Sequence, residues 1–107
     1  MFSYGTKSLK CLDECDYRLR RIFLKAIKIM DISILVGHRD EINQNKAFEQ
    51  GQSKLKWPQS KHNSNPSKAV DAAPYPIDWE DARRFYFLAG VVKAIAHQDG
   101  VKIPHRS

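Results

Sequence analysis

The pattern of apolar spacing changes abruptly between residues 30 and 32, and that change restricts what the chain can build. Leu19, Ile22, Phe23, Ala26, Ile27 and Met30 recur at helical spacing within residues 13–30. Ile32-Ser33-Ile34-Leu35-Val36 follows at once, rich in β-branched residues and closed by Gly37. The first run predicts an amphipathic helix with Asp13 or Asp16 as its cap, and the second predicts a short strand. A helix and a strand joined so tightly must bury their apolar sides against one another.

The rest of the chain repeats this alternation. Residues 40–50 read as a polar helix capped by Asp40, with Gly51 just past its end. Residues 52–66 are loop-like, and Lys68-Ala69-Val70-Asp71-Ala72-Ala73 reads as a brief extended segment before the Pro74-Tyr75-Pro76 break. A third long helix is expected from Asp78 to about His97, with Phe85, Leu88, Ala89, Val92 and Ile95 or Ala96 on its apolar face. The order predicts an α+β fold, a small antiparallel sheet with helices packed on it. Two strands make a thin sheet and the pattern reads as if another ought to follow, so the final strand is expected to be missing or shortened.

With 107 residues and no dividing linker, residues 1–107 read as a single domain. No apolar run is long enough to span a membrane, and the start, MFSYGTKSLK, lacks the apolar core of a signal peptide. The expected place of synthesis is therefore the cytoplasm, with work elsewhere requiring another route out. Eighteen Lys and Arg against twelve Asp and Glu give a net charge of +6. That balance suits polyanions: nucleic acid, an anionic membrane or an anionic cell wall. No nucleic-acid-binding motif accompanies the charge, so nucleic acid is not expected as a partner. Cys11 and Cys15 read as two ordinary thiols, because neither a disulfide framework nor four zinc ligands are at hand.

Chemistry concentrates in Ser60-Lys61-His62-Asn63-Ser64-Asn65-Pro66-Ser67-Lys68-Ala69-Val70-Asp71. Asp71 stands among Ala69, Val70, Ala72 and Ala73, where burial of a carboxylate is costly unless a cation or donor satisfies it. Zinc accepts imidazole nitrogen and carboxylate oxygen. From the residues alone, His62 and Asp71 are either a structural pair or a metal-binding pair.

The run Trp57-Pro58-Gln59-Ser60-Lys61-His62-Asn63, with Ala69-Val70-Asp71-Ala72-Ala73-Pro74-Tyr75-Pro76-Ile77-Asp78-Trp79, resembles phage L-alanyl-D-glutamate endopeptidases. These enzymes belong to the zinc D-alanyl-D-alanine carboxypeptidase family. Gly37-His38-Arg39, Gln44, Ala47-Phe48 and Gly51 to Leu55 extend the likeness upstream, and Arg83 to Tyr86 with Ala89 to Ala96 extend it downstream. The resemblance covers about residues 12–102 and implies a zinc-dependent endolysin acting on peptidoglycan. It implies His62 and Asp71 as the first two zinc ligands. Arg39 is implied as the group that orients substrate or steadies charge on the scissile carbonyl, and Ser60 as a substrate-binding residue that hydrogen-bonds substrate beside the metal. Gln44 is expected either to line the cleft or to satisfy local backbone. Trp57 and Tyr75 are expected to pack beneath a loop or to wall the cleft.

Such enzymes also need a third ligand, His, and an acidic general base three residues before it. The tail Val101-Lys102-Ile103-Pro104-His105-Arg106-Ser107 offers His105 as the candidate third ligand, and Lys102 stands where the acid belongs. Two expectations therefore coexist. One is an active Zn2+ peptidase, a monomer, reaching the wall through a holin-like pore. The other is a shortened, catalytically impaired relative that lacks the base, with or without the third ligand.

Overall fold

In the computed structural model the described residues are 1–102. Helix α1 spans Thr6–Asp13, α2 Tyr17–Ala26, strand β1 Ile32–Val36, α3 Glu41–Glu49, β2 Asp71–Pro74 and α4 Ala82–Gln98. A single 3-10 turn, Lys61–Asn63, interrupts the long loop before β2. The result is the expected α+β fold.

The helix predicted over residues 13–30 is shorter, only Tyr17–Ala26, and a separate helix, α1, precedes it. The chain is diverted at residues 14–16 because their backbone is used elsewhere. Ser67 N donates to Glu14 O at 2.8 Å, and Asp16 N donates to Ser67 O at 2.7 Å. Those bonds tie the loop leading to β2 onto the α1–α2 joint. The Asp16 carboxylate then restarts the helix by accepting from Arg18 N at 2.9 Å. Helix α2 ends at Ala26, and Ile29 N and Met30 N both turn back onto Ala26 O.

Strands β1 and β2 pair antiparallel, with Ile32 opposite Pro74, Ser33 opposite Ala73 and Ile34 opposite Ala72. The register then slips, so that Val36 rather than Leu35 faces Asp71. A bulge of this kind bends the strand and re-aims the side chains beside it. Here it lies at Asp71. The strand expected from Lys68 begins only at Asp71, since residues 67–69 are held by the Ser67 hydroxyl, which donates to Ala69 O at 2.8 Å.

Helices α1 and α4 pack on the sheet, and α2 packs on α4. Leu12, Ile22, Phe23, Ala26, Ile27, Ile32, Ile34, Leu88, Ile95 and Ala96 form one buried cluster with Tyr4, whose hydroxyl donates to Phe23 O at 2.6 Å. Ile22 and Ile34 are fully buried. Truncating either to Ala should cost about 2–5 kcal/mol. Helix α4 starts four residues later than expected. Asp78 is spent on its own turn, accepting from Glu80 N at 3.0 Å, and Asp81 caps the helix instead.

Asp40 caps α3 as the sequence indicates, accepting from Asn43 N at 2.8 Å. Gly51 follows that helix with φ of 75°, the left-handed conformation that favours glycine at this place. Among the described residues no helix is long and apolar enough to cross a membrane.

Candidate active site

The site is built outward from Gly37, at the end of β1. A Cβ at this position would lie 2.1 Å from Cys11 O, so only glycine lets the strand pass so close to α1. The Gly37 carbonyl is thereby fixed, and it accepts from His62 Nδ1 at 2.8 Å, with Ser67 Oγ, whose one proton it shares with Ala69 O, 3.1 Å away. A carbonyl only accepts, so the proton of the neutral imidazole must sit on Nδ1. The Nε2 lone pair is left facing outward.

His62 is held in that pose by its own turn. Ser60 Oγ accepts from His62 N at 3.2 Å, while Ser60 N donates to Asn63 Oδ1 at 3.0 Å, a reciprocal capping box. The imidazole is almost wholly buried. Its Nε2 lies 3.3 Å from Asp71 Oδ1. The two groups singled out in the sequence are therefore brought together from a loop turn and from the bulged start of a strand.

Asp71 itself is not the buried acid that its alanine neighbours suggested. Its side chain is 48% exposed, because it opens β2 at the bulge and projects into a cleft rather than into the core. The other oxygen, Oδ2, lies 3.5 Å from Arg39 Nη2. With a proton on Nε2 as well, as the metal-free pair requires, the hydrogen bond from His62 holds the carboxyl below the ordinary carboxylate range. The charges of His62 and Arg39 act in the same direction, and partial burial opposes them.

Arg39 is braced as firmly as His62. Its backbone N donates to His62 O at 2.8 Å and its carbonyl accepts from Asn63 Nδ2 at 2.9 Å. Its Nη1 donates to Gln44 Oε1 at 3.2 Å. Gln44 is fully buried and uses its whole amide. Oε1 also accepts from Asn63 Nδ2 at 3.1 Å, and Nε2 donates to Leu55 O at 2.6 Å and Ser53 Oγ at 3.0 Å. Of the two roles expected for Gln44, the bond to Leu55 O fits the satisfaction of local backbone. Its hold on Arg39 was not foreseen.

An imidazole lone pair opposite a carboxylate oxygen at 3.3 Å is stable only with a cation between them, a proton or a metal ion. The donor set suits zinc: one imidazole nitrogen and one carboxylate oxygen, with the opposite ring nitrogen tied to a backbone carbonyl. Among the described residues no third His, Cys, Asp or Glu joins them. His105, the expected third ligand, lies outside the described residues.

The profile of the phage L-alanyl-D-glutamate peptidase family matches residues 1–106. The chain belongs to this family. It is thus an enzyme, a peptidase. The solved structure of the Serratia marcescens L-Ala D-Glu endopeptidase ChiX shares its fold, with a TM-score of 0.77 over 94% of this chain and 76% of that one at 22% identity. No curated protein sequence matches the chain.

In this peptidase, Asp71 and Arg39 open onto a cleft of about 530 Å³ lined also by Val36, Val70, Ala72 and Trp79. Trp57 and Tyr75, the aromatic residues weighed from sequence, are absent from its lining. Trp57 is 41% exposed and Tyr75 53%. Tyr75 follows the buried Pro74, and strand alternation turns it outward. Its backbone N still extends the sheet, donating to Asp31 O at 3.1 Å. Sequence reading missed Gly37, Asn63, Ser67 and Trp79 as parts of the site. The Ser60-x-x-Asn63 spacing of the capping box was the one available signal for Asn63.

Proposed function

We propose that the chain is a zinc-dependent peptidase that hydrolyses the L-alanyl–D-glutamate bond in the stem peptides of peptidoglycan. The observation that carries this reading is the pairing of His62 Nε2 with Asp71 Oδ1 at 3.3 Å, with the imidazole tautomer set by Gly37 O. Family membership supports the peptidase activity and the class of bond.

His62 Nε2 and Asp71 Oδ1 would hold the metal, and His105 is proposed as a third ligand. Zinc, when bound, polarises the scissile carbonyl and makes an attacking water more acidic. The Arg39 guanidinium, fixed by Gln44 and Asn63, keeps donors for a substrate carboxylate or for negative charge on the carbonyl oxygen. Ser60 orders the His62 turn through its cap and lies close enough in sequence to serve substrate as well. The enzyme acts as a monomer, made in the cytoplasm and released to the wall through a holin-like pore. The surplus of basic residues favours adsorption to an anionic wall.

The test is release of new amino termini from purified peptidoglycan, with zinc removed by chelation and then restored. Hydrolysis that vanishes with zinc and returns with it supports the reading. Absence of hydrolysis at saturating zinc, in a chain that still binds wall peptide, would favour the impaired relative instead.

A further inference from the structure

Trp79 lies outside the ligand and arginine cluster, yet it lines the same cleft as Asp71 and Arg39. It is 68% exposed, unusually open for the largest apolar side chain in a small domain. It is nevertheless held in place. Its ring stacks on Phe85 of α4, with centroids 5.5 Å apart and planes 22° from parallel. The loop that carries it is pinned on both sides. Glu80 N bonds Asp78 Oδ1 at 3.0 Å, Asp81 N bonds Asp78 O at 3.1 Å, and Arg84 Nη1 reaches back to Pro76 O at 2.7 Å.

An exposed aromatic plane fixed from behind loses little entropy on contact with a ligand, which suits a binding surface. The cleft it shares offers a cation at Arg39, partly met by Asp71 in the same lining, the amide of Gln52, and apolar side chains at Leu35, Val36, Val70 and Ala72. Such a lining fits a short acidic peptide that presents a carboxylate to the guanidinium and an alkyl face to the indole.

We propose that Trp79 is a substrate-binding residue of the cleft, contacting the uncharged, methyl-bearing L-alanyl part of the peptide while Arg39 takes the glutamyl carboxylate. This rests on the peptidase reading above. Trp79 supplies affinity and selection for that alkyl surface, not chemistry at the scissile bond.

The chain has two tryptophans, so Trp57→Phe leaves Trp79 as the sole indole reporter. Titrating zinc-loaded Trp57→Phe protein with N-acetyl-L-alanyl-D-glutamate should shift or quench its emission, saturating with the ligand. On the same peptide, Trp79→Ala should raise KM about fivefold or more with kcat within about twofold, and Trp79→Phe should recover most of the loss. Circular dichroism of each variant checks that the fold is retained. Hydrolysis with unchanged Trp79 emission at saturating peptide, or with an unchanged KM in Trp79→Ala, overturns the contact and leaves the peptidase reading intact. An emission response without hydrolysis upholds the contact and counts against catalysis. Neither response at any concentration sinks both.

Discussion

The Gly37 carbonyl oxygen lies 2.8 Å from His62 Nδ1, and this contact decides which imidazole nitrogen is free to bind a cation. The carbonyl is fixed by backbone crowding against Cys11 and by the Ser67 hydroxyl beside it. A residue with no side chain therefore governs the chemistry of one 25 positions later.

Gly37→Ala tests that dependence. Its new methyl would meet Cys11 O at 2.1 Å, so the strand end must move and carry the carbonyl with it. Overpacking of this kind costs about 1–3 kcal/mol. Disturbing a carbonyl that orients a ligating His lowers metal affinity about 10–100-fold. Thermal melts and competition against a zinc chelator measure the two effects. Unchanged zinc affinity would mean that Gly37 does not set the imidazole.

Gln44→Leu removes four hydrogen bonds from a fully buried amide. Each buried partner left unpaired costs about 1–3 kcal/mol. The freed Arg39 guanidinium should also lose its fixed direction. The expected result is a lowered Tm together with a fall in kcat/KM on wall peptide. A variant as stable as the parent would show that water replaces the amide.

Asp71 predicts a pH dependence for the zinc-free chain. Its folded pKa is depressed, chiefly by the hydrogen bond with His62. Its contribution is therefore present above the unfolded value of about 3.9 and is lost as pH falls through the lower folded value. Half-exposure and salt keep the effect small. In urea unfolding, the stability difference between the parent and Asp71→Asn should shrink as pH is lowered from 7 toward 3. A difference that grows on acidification would reverse the assigned sign.

Cys15 is buried beneath the loop that leads to β2, and burial pushes its thiol up to about 11. Alkylation depends on the thiolate. Native protein at pH 8 should leave Cys15 unmodified by iodoacetamide, and addition of urea should expose it. Rapid native labelling at Cys15, read by peptide mass, would show that the α1–α2 joint opens readily.

Much of this site was legible because local chemistry wrote it into short spans. Asp40 announced the start of α3, and Ile32 to Val36 read as a strand from composition alone. His62 and Asp71 stood out by type, and the family resemblance paired them. What escaped were effects of chain on chain. The break between α1 and α2 follows from bonds to Ser67, more than fifty residues away, and no helical periodicity encodes them. The exposure of Asp71 follows from a one-residue slip opposite Leu35. Alanine neighbours suggested burial, because hydropathy says nothing about a bulge. Gln44 looked like a polar residue on a polar helix, and only its tertiary partners make it a buried brace.

Zinc binding by His62 and Asp71 is the central claim, and equilibrium dialysis of the purified chain tests it most directly. About one zinc per chain is expected, with His62→Ala and Asp71→Ala each weakening binding by orders of magnitude while keeping a folded circular dichroism spectrum. Tight zinc binding that survives both substitutions would contradict it, as would a folded parent chain that takes up no zinc.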